Sequence, residues 1–227
     1  MLINFHTHLL QQPNDHKIIY NLAIPDSEES LENFEEILAE IPENIYLSVG
    51  IHPWFINENL LEKQFEILSQ LANNQQVKLI GECGLDRIKG VNLKLQEAIF
   101  IKQIRIAEDV KKPLIIHCVK CFSELFSIKK IIRPRVPMIL HGFNQNLEIG
   151  EELLKKQFYL SLGTAILHEN SNAEKILAVI PLENLFLETD DKEISIEEIY
   201  KKAAKIRKIS DEKLEEIIFE NFLNLQF

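Results

Sequence analysis

Histidines at positions 6 and 8, flanking Thr7, are the first pair in the chain with chemistry to offer. The run Leu2–His6 reads as a short buried strand. Residues two apart on a strand point to the same side, about 6.6 Å apart along the backbone. Two imidazoles so placed converge on one cation at metal–nitrogen distances of about 2.0–2.1 Å. Residues of the same kind recur where later strand-like runs end. Gly81-Glu82-Cys83-Gly84-Leu85-Asp86 closes the fourth run, Ile115-Ile116-His117 the fifth and Ile139-Leu140-His141-Gly142-Phe143 the sixth. Phe186-Leu187-Glu188-Thr189-Asp190-Asp191 closes the last. Four of the seven histidines, with Glu82 and Asp190 as candidate carboxylate ligands, thus fall at strand ends. Nitrogen and oxygen donors without thiolate suit two divalent ions, with a carboxylate bridging them.

The elements that must position these groups follow from hydrophobic periodicity. Short apolar runs at Leu2–His6, Lys17–Ile24, Ile45–Gly50, Val77–Gly81, Pro113–His117, Pro137–His141, Phe158–Leu162 and Asn184–Glu188 predict buried parallel strands. Between them, helical spacing predicts helices over Glu28–Glu40, Asn57–Asn73, Asn92–Val110, Cys121–Ile132, Leu147–Lys156, Ser171–Val179 and Ser195–Lys208. Asp211–Phe222 adds a terminal helix. Prolines 42, 53, 113, 134, 137 and 181 punctuate the joins. Strand–helix alternation implies parallel strands with right-handed crossovers. Closing eight such units gives an α/β protein of the (β/α)8 TIM-like barrel class, whose active site lies at the carboxyl ends of the strands. An open doubly wound sheet is the competing architecture, but no Gly-x-Gly-x-x-Gly follows the first strand. With no internal repeat or linker, one domain over residues 1–227 is expected.

Charge and cysteine content narrow the function classes. Carboxylates outnumber cations 35 to 25, for a formal net charge of −10. Such a balance argues against a broad basic face for nucleic acid, and a polyanionic substrate would be held locally, by metal charge. Screening limits the opposing field to about 8 Å at physiological salt. Cys83, Cys118 and Cys121 are odd in number, which argues for reduced thiols. The Cys118-x-x-Cys121 pair directly follows a strand and reads as small residues beside a site, not as a redox motif. No apolar run approaches the roughly 20 residues of a membrane span. Nor does a basic region followed by a long apolar stretch open the chain, so a cytoplasmic location and no membrane partner are expected. His16 and His168 read as loop or surface residues.

The motifs taken in order resemble the TatD family of metal-dependent hydrolases, the TatD-type deoxyribonucleases, among the amidohydrolase-like barrels. The matching pieces are Phe5-His6-Thr7-His8-Leu9, Val49-Gly50-Ile51-His52-Pro53 and Gly81-Glu82-Cys83-Gly84-Leu85-Asp86. They continue through Gln96, Phe100, Gln103, Ala107 and Pro113–His117 to His141-Gly142-Phe143, Leu187-Glu188-Thr189-Asp190 and Asn221-Phe222. The resemblance implies a two-metal site, with Zn, Mn or Mg as the ions. His6, His8, Glu82 and Asp190 would hold one ion, and Glu82, His117 and His141 the other, so that Glu82 bridges. It also implies an activated water as nucleophile, with Asp190 orienting it and moving its proton. The substrate would be DNA or another phosphodiester, cleaved by a monomer with no protein partner.

Departures from the family pattern fall on substrate contacts rather than on ligands. Cys118, Val119 and Lys120 stand where a small residue and an arginine usually follow the histidine, which exchanges a guanidinium for a point-charge ammonium. Trp54 replaces a frequent second histidine, Arg87 an aromatic residue, and Asp191-Lys192 an alanine-proline. His52, Lys120 and Arg87 are the substrate-binding candidates, and Asp86 is expected to brace its loop or a histidine. Hydrolysis of an amide or small ester at the same site is the alternative chemistry. A metal-binding interaction protein without turnover is the alternative of another class.

Overall fold

The computed structural model describes residues 1–10 and 16–225, which form eight strands and nine α-helices. The strands are β1 (Ile3–Thr7), β2 (Lys17–Ala23), β3 (Tyr46–Gly50), β4 (Val77–Asp86), β5 (Leu114–Val119), β6 (Met138–Leu140), β7 (Phe158–Leu162) and β8 (Leu185–Leu187). The helices are α1 (Glu28–Glu32), α2 (Phe34–Ala39), α3 (Leu61–Leu71), α4 (Leu93–Val110), α5 (Phe122–Ile132), α6 (Leu147–Lys155), α7 (Asn172–Val179), α8 (Ile196–Arg207) and α9 (Asp211–Leu223). One sheet runs in the order β1-β2-β3-β4-β5-β6-β7-β8, which is the (β/α)8 class that the alternation predicts. The chain divides into two compact units, Met1–Tyr20 with Met138–Phe227, and Asn21–Pro137.

In the first unit, β6, β7 and β8 pair in parallel through Met138↔Phe158 and Leu160↔Leu185. Past β8, the chain reaches the end of β1 through an isolated parallel bridge between Asp190 and Thr7. Inside that junction lies a polar zipper. Asn4 donates its amide to Thr189 Oγ1 at 2.7 Å and accepts the Thr189 N–H at 3.0 Å. Thr189 in turn donates its hydroxyl to Thr7 Oγ1 at 3.2 Å. Beside it Phe5 stacks on Phe186, with ring centroids 3.9 Å apart. From α8, the Tyr200 hydroxyl accepts the Ile3 N–H at 3.3 Å and donates to the Ile3 carbonyl at 3.1 Å. Asn221 on α9 donates to the carbonyls of Leu182 and Leu185 at the entry to β8, which gives the closing Asn221-Phe222 motif its work. His16 lies in a bend just before β2, a loop residue as expected, but it is not on the surface. Its side chain is 5% exposed, with Nε2 3.3 Å from Glu197 Oε1.

In the second unit, β4 pairs in parallel with β3 and β5. It runs five residues beyond the predicted end at Gly81, to Asp86, which pairs with Val119. Two glycines let it lie that close to β5. A Cβ on Gly81 (φ +136°) would meet the Ile115 carbonyl oxygen at 2.3 Å, and one on Gly84 (φ +142°) the His117 oxygen at 2.0 Å. The predicted helix over Glu28–Glu40 is two short helices. Ser27 caps the first, and it ends at Asn33 (φ −90°, ψ 6°), a residue whose side chain competes with helical hydrogen bonding. The predicted start of α3 at Asn57 is instead a turn, with Asn59 N–H on Asn57 Oδ1 at 3.0 Å and the helix beginning at Leu61.

The long helix α4 faces the strands with Ile99, Phe100, Ile104 and Ala107, and also with two glutamines. Gln103 accepts from Ile51 N at 2.8 Å and donates to Ile51 O at 2.9 Å. Gln96 does the same for Asp86, at 2.7 and 2.9 Å. Each amide thus pairs with the backbone at or just past a strand end, as a neighbouring strand would. The cysteines are free thiols, with Cys83 and Cys121 buried. Among the described residues, no helix is long and apolar enough to cross a membrane.

Replacing Asn4 with alanine strands the buried Thr189 N–H. Urea unfolding of Asn4→Ala is expected to show a loss of about 1–3 kcal/mol relative to the parent chain, and an unchanged midpoint would contradict the zipper's role.

Candidate metal centre

The first unit brings together His6, His8 and Asp190. Their donor atoms all lie within 4.8 Å of one another, and Asp190 Oδ1 is 3.7 Å from His6 Nε2 and 3.5 Å from His8 Nε2. Backbone geometry sets this up. The Asp190 N–H donates to His6 O at 3.0 Å, and its carbonyl accepts from His8 N at 3.0 Å. Asp190 sits at φ +55°, a left-handed conformation for which aspartate is enriched among non-glycine residues. His6 is buried while His8 and Asp190 are partly exposed, so the cluster has a dry side and a wet side.

His141 follows β6 in the same unit, its ring centroid 4.5 Å from that of His6. Behind it stands Glu188, fully buried, with Oε1 3.5 Å from His141 Nδ1 and accepting the Gly142 N–H at 2.7 Å. Burial pushes the Glu188 carboxyl up, but His141, His6 and Ser161 outweigh it and hold the group below the usual carboxylate range. Glu188 lies inside the Leu-Glu-Thr-Asp motif, yet only the fold shows it braced against His141.

The second unit gathers His52, Glu82 and His117, whose donor atoms also lie within 4.8 Å of one another. Glu82 Oε1 is 3.1 Å from His52 Nε2 and 2.9 Å from His117 Nδ1. His52 Nδ1 accepts the Trp54 N–H at 3.1 Å, so the ring proton sits on Nε2 and donates to Glu82. His52, expected to touch substrate, is placed against this carboxylate. Asn21 fixes the strand here, its Oδ1 accepting from Glu82 N at 2.9 Å and from Ser48 Oγ at 3.0 Å. Its only sequence signal is a polar residue within an apolar run.

His117 is held between two carboxylates, with Nε2 3.1 Å from Asp86 Oδ2. Asp86 also accepts the Trp54 indole N–H at 2.7 Å and the N–H groups of Ile88 and Lys89. Burial raises the Asp86 carboxyl, but Trp54, His117 and these amides outweigh it and leave it lowered. Asp86 therefore braces both its loop and His117. One ring proton satisfies one side of His117. On the other side, a nitrogen lone pair and a carboxylate oxygen confront each other, which requires a positive species, either a second proton or a cation. An imidazole backed by a carboxylate and facing another is the donor set that a divalent ion takes. The residues present therefore fit the metal that their types imply.

The remaining substrate candidates are not alike. The Arg87 guanidinium donates Nε to the Lys120 carbonyl at 2.8 Å and pairs through Nη2 with Glu124. Lys120 is exposed, with φ +54°.

Comparison with known proteins agrees with this chemistry. The family model described as "TatD related DNase" matches residues 4–226. A relative from Buchnera aphidicola, called an uncharacterized metal-dependent hydrolase, is 32% identical over 171 residues, covering 73% of this chain and 64% of its own length. The human 3'-5' RNA nuclease TATDN2 is 33% identical over 163 residues, 69% of this chain but 21% of that protein. In fold, the crystal structure of YjjV, a TatD homologue from Escherichia coli, superposes with a TM-score of 0.79 at 22% identity, covering 99% of this chain and 97% of the other. Since one family model runs through the histidine and carboxylate motifs from end to end, the chain belongs to the TatD family of metal-dependent hydrolases.

Proposed function

We propose that this hydrolase, a single domain over residues 1–227, cleaves phosphodiester bonds in DNA or another nucleic acid with the help of two divalent cations. The observation that carries the reading is His117, braced by Asp86 at 3.1 Å and facing Glu82 at 2.9 Å, in a chain of this family. The ligands proposed are His6, His8, Glu82, His117, His141 and Asp190. When bound, such ions supply Lewis acidity toward phosphoryl oxygens and make water more acidic. The protein's own groups do the rest. Asp190, partly exposed beside His8, accepts a proton from the attacking water as its oxygen bonds to phosphorus. The bond from phosphorus to the leaving oxygen breaks, and Asp190 returns the proton to that oxygen. Glu188 and Asp86 hold His141 and His117 in place throughout.

A second reading, hydrolysis of a small amide or ester, draws support from the net charge of −10 and from Arg87, whose guanidinium is committed to Glu124 and the Lys120 carbonyl. A substrate panel separates the two readings.

Protein supplied with Mg, Mn or Zn is expected to shorten single-stranded DNA or RNA, to stop on chelation and to resume on re-addition; intact strands with all three metals would remove the nuclease assignment. Asp190→Asn is expected to lower turnover at least ~100-fold with an unchanged circular dichroism spectrum. Undiminished turnover would show that Asp190 moves no proton. Asp86→Asn is expected to weaken metal binding by about 10–100-fold, read by calorimetric titration, and equal affinity would show that it braces only its loop.

A further inference from the structure

Trp54 is the single tryptophan of the chain and stands 38% exposed beside His52 and His117. A tryptophan that merely covers the core is held by apolar neighbours. This one is pinned by polar contacts at its indole N–H and its backbone. Its indole N–H goes to Asp86 at 2.7 Å, its backbone N–H to His52 Nδ1 at 3.1 Å, and the His52 ring meets it edge-on with centroids 4.9 Å apart. The ring plane is thus fixed before anything binds, which lowers the ordering cost of a partner. Over the ring, 3.8 Å from its centroid, sits the ammonium of Lys89. The same Asp86 carboxylate accepts the Lys89 backbone N–H at 3.0 Å, so one buried group positions both the aromatic plane and the residue bearing the cation.

An exposed aromatic plane with a cation against it matches a flat ring joined to an anion, which is the repeating unit of single-stranded nucleic acid. We propose that Trp54 and Lys89 form a reading shelf, the Lys89 ammonium leaving the indole face for a phosphate of a single-stranded substrate as the adjoining base stacks on that face. The proposal rests on the nucleic-acid reading above and adds the residues that grip the strand. Stacking of this kind tolerates any base, so the shelf selects for unpaired strand and not for sequence.

The lone indole is its own reporter. The probe is a short phosphorothioate oligothymidylate, resistant to cleavage, titrated into the full chain supplied with Mg. Indole emission is expected to quench saturably, with the same midpoint as the anisotropy of a fluorescein-labelled copy of the strand. Trp54→Ala should bind about 5- to 100-fold more weakly, while Trp54→Phe retains most of the affinity. Lys89→Ala should reduce the slope of log affinity against log salt by about 0.7, the loss of one phosphate contact on a single strand. Binding by anisotropy with unchanged indole emission, or with full affinity in Trp54→Ala, would overturn the shelf and leave the nuclease reading standing. No binding of any DNA or RNA strand would overturn both.

Discussion

A buried carboxylate must be paired or neutralised, and most of what is distinctive in this chain follows from that constraint at Glu82, Asp86 and Glu188. Each answers it with an imidazole. Glu82 faces His52 and His117, Asp86 backs His117, and Glu188 backs His141. Where two carboxylates press on one ring, as at His117, a single ring proton satisfies only one side, whereas a cation satisfies the arrangement with the ring neutral. The metal-binding chemistry and the stability of these strand ends are therefore the same electrostatic problem.

Holding such groups in place falls to neutral polar side chains inside apolar elements. Asn4 ties Thr189 to β1, Asn21 takes the Glu82 N–H, and Gln96 and Gln103 dock α4 onto the Asp86 and Ile51 backbones. Each is buried and makes paired or multiple bonds, so removal leaves unsatisfied backbone groups rather than a small void. The loops after β3 and β4 thereby gain the rigidity that a site requires, with Trp54 and Asp86 locked to each other across them.

Much of this was legible in the sequence. All eight strands lie within the predicted runs or overlap them, because buried parallel strands read as short apolar stretches bounded by breakers. The histidine and carboxylate positions stood out because they fall where those runs stop. The division of the helix at Asn33 was not legible, since the apolar spacing continues across it and only backbone angles show the break. Nor did β4 announce its extension to Asp86, because the close approach depends on glycines meeting carbonyls of β5. Asn4 and Glu188 were invisible as structural devices. The partner of Asn4 lies 185 residues away, and Glu188 shares its motif with an aspartate that draws the attention.

We propose that these imidazole–carboxylate clusters hold divalent cations. Thermal unfolding of metal-free protein, repeated with Zn, Mn or Mg added, tests it most directly, since a ligand bound only by the folded state raises the midpoint in proportion to log concentration. That rise is expected in the parent chain, and a much smaller one in His117→Ala. A midpoint indifferent to all three ions would contradict it.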